Sequence, residues 1–243
     1  MKLMMFEKAG GAALGLVEGA SVIDLGAADA SLPKDLAALI AAGPAALDKA
    51  KAAAAKAPAS AKFALASVKA ALPIARPPKF ICVGLNYALH AKEGGHPIPT
   101  YPSFFLRVPT SLTAPGAPVL RPKNSIQLDY ECELTIVIGK GGRYIPEAKA
   151  LDHVFGYTLF NDVSVRDFQR KTTQWMPGKN FDSTGPLGPW VVTADELPPG
   201  ASGLRITTRV NGETMQDPNT SDMIFSTANI IAMVDAIRKF NGD

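Results

Sequence analysis

At 243 residues the chain is long enough for one large domain or two smaller ones with a substantial core. Hydrophobic content of 47% against 19% charged is ordinary for a globular protein, and the net charge of +3 comes without any Lys/Arg run that would track a phosphate backbone, which argues against nucleic acid as a partner. Cys82 and Cys132 sit in apolar contexts that read as buried thiols of a reducing compartment, and no run of about 18 apolar residues offers a membrane span. With the opening MKLMMFEKAGG interrupted by Glu7 and too brief for a signal peptide, the expected location is the cytoplasm.

Lys2 to Phe6, Ala13 to Val17 and Val22 to Leu25 read as short strands punctuated by Gly10-Gly11 and Gly19, an opening meander. From Pro33 the pattern turns helical, with Leu36, Leu39 and Ile40 on one stripe and Gly43 as a stop. A second helix is expected over Ala45 to Ala57, where alanine is dense enough for propensity to outweigh packing. Pro73, Pro77 and Pro78 then break any regular element. Two units follow from this: an accessory domain over 1–76 and a second domain over 77–243.

Phe80 to Gly84 reads as a short buried strand, followed by a turn into a brief helix carrying His90 and Glu93 three positions apart on one face. A carboxylate beside an imidazole orients it and raises its pKa, as a water-activating base requires; a minor surface contact is the plainer role for such a pair. Gly94-Gly95 and the prolines up to Pro102 form a loop, and Phe104 to Leu106 a core strand.

The stretch Leu128 to Gly139 concentrates the chemistry. Read as a strand, it places Asp129, Glu131 and Glu133 on one face and Tyr130, Cys132, Leu134, Ile136 and Ile138 on the other. Same-face neighbours lie about 7 Å apart, so three like charges need a positive partner, and a divalent cation supplies one. A solvated acidic sheet edge is the alternative, weakened by the Ile-Val-Ile continuation into a core. Val154 to Phe160 is a further apolar run ending in Asn161-Asp162, where the acid is either a third oxygen ligand or a cap. Ser164 to Lys171 reads as a helix carrying Arg166 and Gln169. Gly178-Lys179 lacks the glycine spacing of a phosphate loop, so Lys179 is a solvated loop residue or a positive charge for an anionic substrate. Trp190 to Val192 and Leu204 to Val210 are further strands, Asn211-Gly212 a hairpin turn, and Ile230 to Arg238 a closing helix capped at Ser226 or Thr227.

Taken together, Cys82-Val83-Gly84-Leu85-Asn86-Tyr87 with His90 and Glu93, the segment from Asp129 to Leu134, the segment from Phe160 to Asp167, and Gly178-Lys179-Asn180-Phe181-Asp182 resemble the fumarylacetoacetate hydrolase family, from about Phe80 onward. The first domain resembles the accessory segment that many bacterial members carry, which points to the bacterial two-domain type. The resemblance implies a mainly β (α+β) fold, with a mixed β-roll or β-sandwich catalytic domain behind a small α/β accessory domain. It also implies a homodimer that binds Mg2+ or Mn2+, with Ca2+ a further candidate. By that likeness Glu131, Glu133 and Asp162 are the metal ligands, His90 and Glu93 the water-activating pair, and Lys179 with Gln169 and Arg166 the catalytic, substrate and oxyanion contacts. All-carboxylate ligation fits a hard cation better than zinc or copper.

The reaction implied first is hydrolysis of a carbon–carbon bond in acylpyruvate-like β-diketo acids. His90 takes a proton from water, hydroxide adds to the distal carbonyl, and Lys179 and Gln169 stabilise the oxyanion before cleavage leaves an enolate. Decarboxylation of an oxaloacetate-like substrate reaches the same enolate, and isomerisation of a hydroxydienoate needs only proton transfers. A catalytically silent metal-binding or association module is the alternative of another class. In two places the chain departs from the family pattern. Where the fullest metal sites have another acid, this chain has Cys82-Val83-Gly84, leaving that place to water, and the pattern runs on past Gly242-Asp243, so that either the sequence is a truncated piece or the expected domain lacks its last strands.

Overall fold

In the computed structural model, which describes residues 1–88, 92, 95 and 97–239 and side chains through 234, an eight-stranded sheet joins the two ends of the sequence pattern. Its order runs Cys132–Ile138, Val154–Asn161, Val191–Thr193, Lys2–Lys8, Gly11–Glu18, Ser21–Asp24, Lys62–Ala64, with Ala70–Ala71 also paired to Lys2–Lys8. Val191–Thr193 holds the two halves together, pairing Leu3↔Val191 on one side and Tyr157↔Val192 on the other. The sheet therefore runs across residue 76.

The opening strand explains why both faces of this sheet are covered. Leu3 and Met5 point into a cluster with Leu14, Leu16, Ile23, Leu36, Leu39 and Val191, whereas Met4 and Phe6 point into another with Val17 and Val22. Alternation thus sends one strand's side chains into two cores. The first helix of the expected pair is Leu36–Ala42, starting three residues later than Pro33, because Asp35 caps it by accepting from the Ala38 amide at 2.8 Å. Gly43, at φ 79, ends it, and Pro44–Ala55 follows. That alanine-rich helix is packed as well as propensity-driven, since Ala50 and Ala54 are buried in the larger cluster.

Shorter pairings carry the rest. Ile81–Gly84 pairs antiparallel with Ser103–Leu106, Leu112–Thr113 pairs parallel with Gly185–Pro186, and Leu128–Asp129 pairs antiparallel with Ser164–Val165. Because Ser164 and Val165 are taken into that ladder, the helix expected from Ser164 shortens to Arg166–Gln169. The strand expected from Leu204 contracts to Thr208–Val210, hairpinned to Glu213–Gln216 through Asn211 and Gly212 at φ 52 and 87. The last helix, Thr227–Lys239, begins with a reciprocal cap: Ser226 Oγ accepts from the Asn229 amide and Asn229 Oδ1 accepts from the Ser226 amide, each at 3.2 Å. The result is the mainly β, mixed α+β architecture expected.

Gly156 makes the junction between the halves possible, since a Cβ there would lie 2.2 Å from the Val192 carbonyl oxygen. Gly156→Ala is expected to destabilise the protein by about 1–3 kcal/mol through backbone displacement. Gly141→Ala, at a position with nothing within 4 Å, should leave the urea midpoint unchanged. Equal midpoints for the two variants by circular dichroism would refute this account of the junction.

Candidate active site

The acidic stretch does not run as one strand. Asp129 pairs with Ser164 in one ladder; three residues later Cys132 pairs with Asn161 in another. Tyr130 and Glu131 span the change of partner. Across that gap the Glu131 amide donates to Asn161 Oδ1 at 3.0 Å, and the Asp162 amide donates to the Glu131 carbonyl at 2.8 Å. The backbones of Glu131 and Asp162 are thereby pinned together, and their carboxylates converge.

Lys179 fills the space between them. It closes the short helix Met176–Lys179, is only 2% exposed, and donates from Nζ to Glu131 Oε2 at 2.6 Å and to Asp162 Oδ2 at 2.8 Å. Its approach depends on Gly178, where a Cβ would meet the Gln169 backbone nitrogen at 2.5 Å, so only glycine lets this helix lie against Arg166–Gln169. Arg166 completes the outer side. Its Nη1 lies 2.5 Å from Glu131 Oε1 and donates to Gln169 Oε1 at 2.9 Å, while Nε and Nη2 both reach Asp129 Oδ2 at 2.7 Å. Both oxygens of Glu131 therefore face a cation.

These contacts set the charge states apart. Burial pushes the Glu131 carboxyl up, but Lys179 and Arg166 together outweigh it and hold the group below its ordinary value. Asp162 goes the other way: burial raises it, Lys179 pulls it down, and the negative charge of Glu131 leaves it above the ordinary range. Glu133 is pushed up to about 8 by burial and then by the charges of Glu131 and Asp162, with Lys179 offsetting only part. Burial also raises the Cys82 thiol well above its usual value. At neutral pH a protonated Glu133 leaves Asp129, Glu131 and Asp162 to face Arg107, Arg166 and Lys179.

The structure thus brings together Glu131, Asp162, Lys179, Arg166 and Gln169, with Glu133 close enough for its charge to couple to theirs. His90 and Glu93 lie outside the described residues. Among the described residues no group of three or more His, Cys, Asp or Glu side chains gathers as a metal cage, and the Lys179 ammonium stands between Glu131 and Asp162. The donor set nonetheless fits a hard divalent cation. The Glu131 and Asp162 carboxylates converge, Asp162 Oδ1 is buried without a hydrogen-bond partner among the described residues, and Glu133 is held neutral by burial and by the negative charges of Glu131 and Asp162. Two residues were missed by sequence reasoning. Asn161 ties Glu131 in place, and Arg107 stands behind Asp162; a charge at the end of the apolar run Phe104-Phe105-Leu106 was the signal for the latter. A cleft of about 280 Å³ lined by Cys132, Leu159, Asn161, Leu187 and Arg209 adjoins the cluster but includes none of its charged groups.

A mixed α+β domain with a buried carboxylate–lysine site is the class these features define. Within it the chain belongs to the fumarylacetoacetate hydrolase family: the family model described as fumarylacetoacetate (FAA) hydrolase C-terminal matches residues 79–241. The chain is 40% identical over 222 residues to the oxaloacetate tautomerase fahd2, mitochondrial, of Xenopus laevis, covering 90% of this chain and 68% of that protein. Its fold matches the fumarylacetoacetate hydrolase of Exiguobacterium antarcticum with a TM-score of 0.80 at 34% identity, over 97% of this chain and 81% of that one. It also matches the maleylpyruvate hydrolase of Sphingobium sp. SYK-6, solved with manganese(II) and pyruvate, with a TM-score of 0.81 at 28% identity, over 98% and 83%. Two expectations change. Vertebrate as well as bacterial proteins match, so the comparisons identify the family and do not single out a bacterial two-domain type. The cytoplasmic assignment is overturned, because the tautomerase relatives from frog, human, cattle and rat are mitochondrial by name.

A proton held by Glu133 up to about pH 8 in the folded chain, against an ordinary value of 4.5, makes stability depend on pH. Between those values the folded state binds the extra proton, so stability falls as pH rises, by at most about 1.4 kcal/mol per unit, and levels off above. In chelator-containing buffer, urea midpoints of the wild type should fall from pH 5 to pH 8 more steeply than those of Glu133→Gln. Parallel curves would disprove the assignment.

Proposed function

We propose that this chain is a small-acid enzyme whose main reaction is the interconversion of the keto and enol forms of an oxaloacetate-like 2-oxo acid. The observation that carries this reading is the 40% identity, across nine-tenths of the chain, to a named oxaloacetate tautomerase. It favours the proton-transfer side of the alternatives over hydrolysis. The site chemistry is consistent with it, because tautomerisation moves one proton from C3 to the oxygen on C2 and needs no water in the product.

In this reading Glu131, Glu133 and Asp162 would hold Mg2+ or Mn2+, which would supply Lewis-acid polarisation of the 2-oxo group. Lys179 presents its ammonium to the oxygen that becomes negative and returns a proton to it. Arg166, fixed by Asp129 and Glu131, holds Gln169 through a hydrogen bond to its Oε1, and in this reading Gln169 contacts the substrate. His90 with Glu93 takes the proton from C3. Residues 1–76 serve as an accessory unit and 77–243 as the catalytic one, and the protein works as a homodimer, for which the exposed Ile98 and Ile126 supply apolar surface.

Hydrolysis of an acylpyruvate is the second reading, supported by the fold likeness to maleylpyruvate hydrolase. The test offers enol-oxaloacetate, oxaloacetate and acylpyruvates to the protein with added Mg2+ or Mn2+, while following enol absorbance and pyruvate. Enol loss without pyruvate is the expected result. Pyruvate from oxaloacetate would make the enzyme a decarboxylase, and cleavage of acylpyruvate alone a hydrolase. Lys179→Met should lower tautomerisation by about 100-fold or more; unchanged turnover would remove Lys179 from the chemistry.

A further inference from the structure

Arg107 follows the strand Ser103–Leu106 and is enclosed completely, its side chain 0% exposed. Its slot is built from several parts of the chain. Nη1 donates to the Val163 carbonyl at 3.1 Å, Nη2 donates to Thr184 Oγ1 at 3.4 Å, and the guanidinium lies 5.1 Å from the Phe160 ring centroid. The backbone also makes room for it: a Cβ on Gly185 would sit 2.4 Å from Nη2 and 2.8 Å from the Phe160 ring. A buried cation with a cradle shaped to it is costly as a mere filler, since an apolar side chain of like volume is commonly neutral or better for stability.

What the cradle aims at is Asp162. Nη1 lies 3.3 Å from Asp162 Oδ1, close enough for attraction but not aligned as a hydrogen bond, so that Oδ1 and Arg107 Nε have no hydrogen-bond partners among the described residues. The opposite oxygen, Oδ2, is the one taken by Lys179. We infer that Arg107 is a positioning residue that fixes the plane of the Asp162 carboxylate from behind, directing that group into the site. The Val163 bond strengthens this, because the same guanidinium nitrogen holds the backbone next to Asp162.

The inference rests on the reading of the cluster as a cation-binding catalytic site, so its test has an arm independent of turnover. Mn2+ binding to the purified full chain is measured by isothermal titration calorimetry, beside tautomerase kinetics and a thermal melt. In folded Arg107→Met the Mn2+ Kd should rise about tenfold or more, as expected when a partner that orients a ligand is removed. The kcat should fall by a similar factor with KM within about threefold. Arg107→Lys, which keeps the charge and loses the fork, should recover part of both. Gly185→Ala, which crowds the guanidinium without deleting it, should weaken Mn2+ in the same way and decides the matter if Arg107→Met does not fold. An unchanged or tighter Kd in folded Arg107→Met or Gly185→Ala overturns the positioning role, as does a wild type that takes up no Mn2+. A wild type that binds Mn2+ but does not tautomerise defeats only the reaction assigned above.

Discussion

The Lys179 ammonium held between Glu131 and Asp162 is the contact to which the neighbouring structure is fitted. Removing one member of a buried pair of this kind leaves the other uncompensated, at about 3–5 kcal/mol, whereas replacing the whole set by apolar groups is often neutral or stabilising. Stability therefore gives no reason to keep it. The surrounding chain nonetheless goes to some length to assemble it. One strand changes ladder at Tyr130-Glu131, Asn161 locks the Glu131 amide, and Gly178 lets two short helices approach closely enough to deliver the lysine. Backbone arranged around a charge cluster that adds little to folding is the physical mark of a functional site.

The long sheet supplies the rigidity. Val154–Asn161 lies between the acidic strand and Val191–Thr193, and through the latter it is coupled to the opening strand, whose two faces sit in separate apolar clusters. Asp162 is thus the residue just after a strand braced on both sides, and Glu131 is tied across the ladder switch by one hydrogen bond from the Asp162 amide and one to the Asn161 side chain. Positions anchored in this way hold two carboxylates within reach of one ammonium against their mutual repulsion.

Much of this was legible in the sequence, for reasons that differ from residue to residue. Composition and period revealed the opening strands, the alanine helix and the apolar runs on either side of the acids, because local propensity and burial agree there. The resemblance to the family pointed to Glu131, Glu133, Asp162, Arg166, Gln169 and Lys179 as a group. Period alone missed the interruption at Tyr130-Glu131: an alternating pattern states which face a residue takes within one ladder, but not that the ladder changes partner. The same blindness shortened the helix after Asp162, since Ser164-Val165 were claimed by Leu128–Asp129, a pairing between segments far apart in sequence. Arg107 escaped because a lone arginine after an apolar run is ordinarily a solvated strand end, and only the cradle formed by Phe160, Val163, Thr184 and Gly185 makes it otherwise.

The surroundings of the ammonium bear on which chemistry the site favours. Phe105 lies 5.2 Å from Lys179 Nζ, and Trp175 packs edge-on against Phe105 at 5.9 Å between ring centroids. Trp175 fits there because Gly84 has no Cβ, which would sit 2.0 Å from the indole. An aromatic wall beside a charged group lowers the local dielectric, and that strengthens the hold of a fixed cation on a developing oxyanion. It also offers little to bind and orient a water molecule on that side. Hydrolysis and tautomerisation share an enolate-like species and differ in whether water must enter to form it. In the reading proposed above, a cation set against aromatic rings serves the relocation of a proton more directly than the addition of water.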